Sequence, residues 1–220
     1  ALPGGEGAIR EPWKIAISYL YDIFKEDYAA YVPKHLQEKK HQIITEIIKK
    51  DINSPKASSI GRLFDAVAAL LGFDAKITFQ GEAAIDLENL CCRDDQSFYQ
   101  YNISLEDGIY IIDCKPLIKS VVIEVIDGID KELIARRFHN TIIKFTIELC
   151  EILRKEYNLS SVVLSGGVFQ NEILLINIYK ELIKRDFKVY IHEQIPANDE
   201  GISIGQMIIG NEILKKELVF

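Results

Sequence analysis

Hydrophobic positions along the chain recur first at helical spacing. In PWKIAISYLYDIFKEDYAAYV, Ile15, Leu20, Ile23 and Phe24 predict a helix that begins near Pro12, a residue suited to a first helical turn. A second helix is expected over about residues 34 to 50, with charged residues on its solvated face. INSPKASSI breaks that pattern, and Ser58 or Ser59 can cap the next helix, GRLFDAVAALL, which Gly72 ends. Residues 73 to 113 alternate short apolar runs with turn signals. AKITFQG and GIYIID read as strands, with a helix over about 82 to 92 and a polar loop between them. The run KPLIKSVVIEVID is rich in β-branched residues, yet Pro116 at its start and Ile118, Val122 and Val125 at helical spacing predict a helix.

From 131 to 157 the apolar positions Leu133, Ile134, Phe138, Ile142, Phe145, Leu149 and Ile152 trace one face of a long helix. SSVVLSGG is then a short buried strand ending in a glycine turn. A helix over about 171 to 185, the strand KVYIH, the loop QIPANDEG and a closing helix follow. Helix, strand, helix, strand, helix over residues 131 to 220 predicts an α/β layered lobe with right-handed crossovers. The expected division is an N-terminal loop and helical segment over 1–55 and an α/β lobe over 56–220.

Composition narrows the function classes. A chain of 220 residues, 48% hydrophobic, buries a substantial core without metals or disulfides. Its formal charge of -7 opposes broad nucleic-acid binding, because an acidic surface repels the polyanion. Cys91, Cys92, Cys114 and Cys150 show no CxxC spacing and read as ordinary reduced cysteines. No run of eighteen apolar residues exists to span a membrane, and no charged segment followed by an apolar run opens the chain, so a cytoplasmic location is expected. The opening ALPGGEGAIREPW has no initiator Met and reads as part of something longer.

The strongest local signal is VVLSGGVFQNEILL, a strand that runs into Gly166-Gly167 and then a helix. Paired glycines permit positive φ and close approach of a ligand, and the helix N-terminus beyond them offers unpaired N–H groups, which suits a nucleotide. Tight packing is the alternative use of the same glycines, and the spacing matches neither GxGxxG nor a P-loop. Asn171 stands where a helix N-cap belongs, with nucleotide contact as its second reading. On GRLFDAVAALL the large residues Leu63, Val67, Leu70 and Leu71 share a stripe. Asp65 then points away from it beside Ala66, Ala68 and Ala69, either as a solvated acid or as a carboxylate on a closely approached surface that accepts from ribose hydroxyls. Asp199 in PANDEG is either turn chemistry or an oxygen ligand for a metal beside phosphates. His35 and His41 are expected on the exposed face of the second helix. His139 and His192 receive no role, and no Ser-His-Asp or Cys-His arrangement follows from spacing.

Taken in order, LPGGEGAIREPW (2–13), SSIGRLFDAVAALLG (58–72), TFQGEAAIDLE (78–88), VVLSGGVFQNEILL (162–175) and IPANDEGISIGQ (195–206) closely resemble the C-terminal portion of the hydrogenase-maturation carbamoyltransferase (HypF) family. The resemblance implies an actin/Hsp70/sugar-kinase-like (ASKHA) lobe with added helices, a partial domain related to the tRNA threonylcarbamoyladenosine transferases. It implies an enzyme that uses carbamoyl phosphate and ATP, through carbamoyl-adenylate, to carbamoylate the C-terminal Cys of the acceptor maturation protein HypE, with no nucleic acid or membrane partner. By motif, Asp65 resembles the family's ribose-contacting acid and Gly81 its neighbouring nucleotide-site glycine. Gly166, Gly167 and Asn171 resemble the turn that holds the nucleoside, and Asp199 an aspartate ligand of a divalent metal, Fe or Zn. Two departures stand out: Glu200 follows Asp199 where glycine is usual, and Ala57 replaces a usual Thr. The family's metal-binding histidine pair and phosphate loops precede LPGG, so the resemblance implies the nucleoside half of a site and an isolated chain that does not catalyse transfer. A tRNA threonylcarbamoyladenosine transferase or same-fold kinase, and a non-enzymatic interaction module, are the alternative readings.

Overall fold

The computed structural model describes residues 1–73, 76–79, 81–91 and 94–217. The chain forms two units, Ala1–Leu149 and Cys150–Phe220.

The first unit is mainly helical. A short α1 (Glu6–Arg10) leads into α2 (Trp13–Phe24), followed by a 3-10 segment Lys25–Tyr31. Lys25 at φ +52° interrupts the α ladder, so the single helix expected beyond Pro12 changes form there. The helix expected over 34 to 50 is likewise divided, into a 3-10 turn Lys34–Leu36 and α3 (His41–Lys49). On one continuous helix, positions five apart lie about 140° around the axis from each other. The break lets both Leu36 and His41 turn inward, and both are buried. His41 is therefore not the exposed residue its charged neighbours suggested: its Nδ1 lies 3.1 Å from the Tyr28 hydroxyl, and burial lowers its pKa. His35 is exposed as expected, with Nε2 2.8 Å from the Ala69 carbonyl.

α4 (Ile60–Leu70) is the axis of this unit and packs against α2, α5 (Glu82–Asn89) and α6 (Lys115–Ile126). A helix apolar on nearly every side buries all round. Every residue from Leu63 to Leu71 is at most 3% exposed, and the Phe64 ring meets Phe138 edge-on at 4.9 Å. Ser59 takes the N-cap position with extended backbone but makes no side-chain cap bond. α6 has Pro116 in its first turn, and α7 (Lys131–Tyr157) runs 27 residues without interruption, both as the periodicity predicts.

The strands of the first unit depart from expectation. Residues 76–79 form no strand, and Ile77 N–H donates to the Arg10 carbonyl at 3.1 Å; Ala75 and Gln80 of the same expected strand lie outside the described residues, as does Cys92 at the end of the expected helix. GIYIID does pair, as β2 (Ile109–Asp113), but its partner is β1 (Asn102–Glu106), within the stretch expected as loop. The antiparallel register Glu106↔Ile109 closes on Asp107-Gly108, both at positive φ (49° and 79°). An Asp-Gly pair between strands is a strong hairpin signal, and the signal is present in the sequence.

In the second unit β3 (Ser161–Leu164) pairs in parallel with β4 (Lys188–Ile191), Val162 opposite Val189. The connection carries a 3-10 turn Gly167–Gln170 and α8 (Glu172–Ile183), and α9 (Ile202–Glu217) follows β4. Strands alternating with helices give the expected α/β layering. Leu164, Leu174, Ile178, Leu182 and Phe187 are buried, and the Arg154 guanidinium lies 4.0 Å from the Phe187 ring centre.

Candidate functional site

β3 delivers the chain to Gly166, whose backbone (φ 102°, ψ 158°) lies in a region that only glycine adopts without strain. A Cβ built there meets nothing within 4 Å, so the constraint is conformational rather than spatial. The Gly166 N–H donates to the Ala197 carbonyl at 2.9 Å, and a Cβ on Gly167 would lie 3.9 Å from Asn198 Cβ. The structure thus sets the Gly166-Gly167 turn against the loop that carries Asp199. In that loop the Asn198 side chain accepts from the Glu200 N–H at 3.2 Å, capping the 3-10 turn Asp199–Gly201. A Cβ at Gly201 would come within 2.5 Å of the Pro196 carbonyl oxygen, so the loop closes too tightly for any side chain there. The Ser165 hydroxyl beside the turn contacts His192 Nε2 at 2.8 Å, a pairing that sequence spacing did not suggest.

Asn171 is the N-cap of α8. Its Oδ1 accepts from the Leu174 N–H at 2.9 Å and the residue is buried, so this oxygen serves the helix, a bond that stabilises by about 1 kcal/mol. Asp199 is exposed. No group of three or more His, Cys, Asp or Glu that could hold a metal occurs among the described residues. Asp199 supplies one oxygen-bearing side chain, and the described residues do not complete a cation site around it.

Asp65 and Gly81 belong to the first unit. Gly81 is the N-cap of α5 in the left-handed conformation (φ 89°), and the Glu82 carboxylate after it accepts from the Thr78 N–H and hydroxyl. Asp65 does not lie on an open, alanine-lined surface. Ala66, Ala68 and Ala69 are fully buried, because small side chains let neighbouring helices close on α4, and Asp65 itself is 3% exposed. Its Oδ2 lies 3.1 Å from Arg62 Nη1 one turn earlier, yet neither atom completes a hydrogen bond. Burial raises the Asp65 pKa to about 6 against the opposing pull of Arg62. A buried polar atom without a hydrogen bond costs ~1–3 kcal/mol and is kept where it serves a purpose.

Cys91 Sγ and His139 Nδ1 come within 3.0 Å in the core, a Cys-His arrangement that a separation of 48 positions concealed. The same Nδ1 lies 2.8 Å from the Ala135 carbonyl, to which an N–H must donate. That nitrogen is therefore unable to take the thiol proton, and burial holds the ring neutral with its pKa lowered to about 4. The ring packs edge-on against Phe64 and Phe138 as a core residue. No helix among the described residues is long and apolar enough to cross a membrane.

Comparison with known proteins bears on the family and the fold. The family model described as "Carbamoyltransferase, Kae1-like Domain, second subdomain" matches residues 1–206. The carbamoyltransferase HypF of Synechocystis sp. is 30% identical over 223 residues, which cover 94% of this chain and 28% of that protein. Among solved structures, full-length HypF in the phosphate- and nucleotide-bound form superposes with a TM-score of 0.89 at 38% identity, covering 97% of this chain and 28% of the other. HypF of T. kodakarensis has the same fold, with a TM-score of 0.82 at 23% identity over 98% of this chain and 29% of that one. The chain thus spans under a third of the length of these relatives. With the matching family model covering nearly its whole length and the fold shared throughout, this chain belongs to the carbamoyltransferase HypF family, as the second subdomain of the Kae1-like domain.

Proposed function

We propose that this chain supplies nucleoside-binding elements to a HypF-type carbamoyltransferase. The observation that carries the reading is the Gly166 turn: a glycine-only backbone between a strand and a capped helix, hydrogen-bonded to the loop containing Asp199. Such a turn lets a ligand approach the backbone closely, and the relative solved in a nucleotide-bound form supports a nucleotide as that ligand. In this reading the second unit contributes Gly166, Gly167 and Asn171 as nucleoside contacts and Asp199 as one oxygen ligand of a divalent metal, and the first unit contributes Asp65 as an acceptor from ribose hydroxyls and Gly81 as a nucleotide-site glycine. The complete enzyme uses ATP and carbamoyl phosphate to form carbamoyl-adenylate and passes the carbamoyl group to the C-terminal cysteine sulfur of HypE. The chain alone binds nucleotide and transfers nothing.

Calorimetric titration with AMP tests this. Binding by the chain, and at least tenfold weaker binding by Gly166→Ala with an unchanged circular dichroism spectrum, is the expected result. A Gly166→Ala protein that binds as well as the parent overturns the role of the turn. ATP-dependent carbamoyl transfer by the chain alone overturns the division of labour.

A further inference from the structure

The Arg62–Asp65 pair has no part in the reading above beyond the carboxylate, and it is an unusual thing to bury. Both side chains are largely shielded, at 16% and 5% exposure, on a helix whose remaining surface is apolar. Their facing atoms are 3.1 Å apart, but the contact lacks hydrogen-bond geometry and both atoms are left without a hydrogen-bond partner. An ion pair kept for stability would be expected to complete its hydrogen bonds, since desolvation otherwise outweighs the attraction. Here the cation lies close enough to favour the charged carboxylate without consuming the acceptor capacity of Oδ2.

We propose that Arg62 is a positioning residue for ribose recognition: its guanidinium holds Asp65 as an ionised carboxylate with the acceptor capacity of Oδ2 unspent, ready for a ribose hydroxyl. An ionised carboxylate accepts from hydroxyls, whereas its protonated form loses part of that capacity. Without a neighbouring cation, a carboxyl in so apolar a setting takes up a proton instead. Several other charged groups on the elements around α4 are engaged elsewhere. Lys14 of α2 pairs with Glu11, and Asp22 pairs with Lys25 and with Lys115 of α6. Glu82 of α5 is bound by Thr78 and acts on Asp86, and Glu124 of α6 is bound by Arg137 and Tyr99. His139 of α7, which meets Phe64, is held neutral. Among the described residues, the charge acting on Asp65 is that of Arg62.

This inference rests on Asp65 contacting ribose, and the test separates the two ideas. The chain, Arg62→Gln and Arg62→Lys are titrated calorimetrically with AMP and 2′,3′-dideoxy-AMP between pH 5 and 8.5, with thermal melts confirming folding. The parent chain is expected to prefer AMP by roughly tenfold or more at pH 7.5, with the preference fading as pH falls through about 6. In Arg62→Gln the preference fades at distinctly higher pH, and in Arg62→Lys the displacement is smaller. Affinity for dideoxy-AMP is unchanged in both. Equal loss for both nucleotides, or pH profiles that superpose on the parent's, overturns the role of Arg62 while leaving that of Asp65 intact. Should Arg62→Gln fail to fold, Arg62→Lys decides, an undisplaced midpoint overturning the proposal. A parent chain that binds AMP without preference removes the ribose contact and this inference with it, and one that binds neither nucleotide removes the nucleotide reading as a whole.

Discussion

In Ala1–Leu149 the central helix α4 is enclosed along its length, whereas in Cys150–Phe220 the helix α9 shows Met207, Ile208, Ile209 and Leu214 more than half exposed, and β3 shows Val163. The first unit is held by interdigitated side chains of α2, α4, α5, α6 and α7, the second by a two-strand parallel ladder, a capped helix and loop hydrogen bonds. Few buried apolar contacts mean a low local cost of opening. The glycine turn thus sits in the less densely packed unit, which a bound ligand would stabilise by mass action. Asp65 lies in the densely packed one, where a charge can be held in place at a cost.

The contrast is broken most directly by truncating the core. Phe138→Ala should cost ~3–5 kcal/mol in urea unfolding, since a fully buried ring against Phe64 is lost and the packed helices cannot collapse into its space. A loss under about 1 kcal/mol would show that the first unit is less rigidly packed than its burial indicates.

The next effect concerns the held charge. Because the folded-state pKa of Asp65 is raised from 3.8 to about 6, the folded chain binds more protons than the unfolded chain between those values. Its ionised form is a destabilising element at neutral pH, relieved as pH falls through 6 and fully relieved below about 3.8. Between pH 7.5 and 5 this relief amounts to about 1–2 kcal/mol. Asp65→Asn should lack that increment in urea midpoints compared at the two pH values. If the two proteins respond alike, Asp65 is less desolvated than its surroundings imply.

The smallest effect is expected in the second unit. Ile209→Ser, at a residue 58% exposed, should shift stability by less than about 0.5 kcal/mol. A loss comparable with that of Phe138→Ala would show that α9 is covered in solution and erase the contrast between the units.

Much of this organisation is legible in the sequence because it rests on periodicity and punctuation. The long stripe of α7, Pro116 at the start of α6 and the strand-glycine-helix order around Gly166 all have local causes, and the resemblance carried by five motifs points to the family whose model matches residues 1–206. Features that depend on tertiary partners were not legible. The alanines of α4 are an open surface or a packing seam according to what lies against them, and the burial of His41 depends on Tyr28, thirteen positions away. The partner of Cys91 in the core is equally remote. The hairpin at Asp107-Gly108 is a different case, since its local signal was in plain view within a stretch otherwise polar enough to pass for loop.

At Gly166 the empty space around the absent Cβ gives the turn a requirement of handedness. The mirror image of its φ and ψ falls near the broad extended region that ordinary L-residues occupy, so the position is forbidding to L-alanine and hospitable to D-alanine. Glycine is there because, among the genetically encoded residues, it alone is achiral.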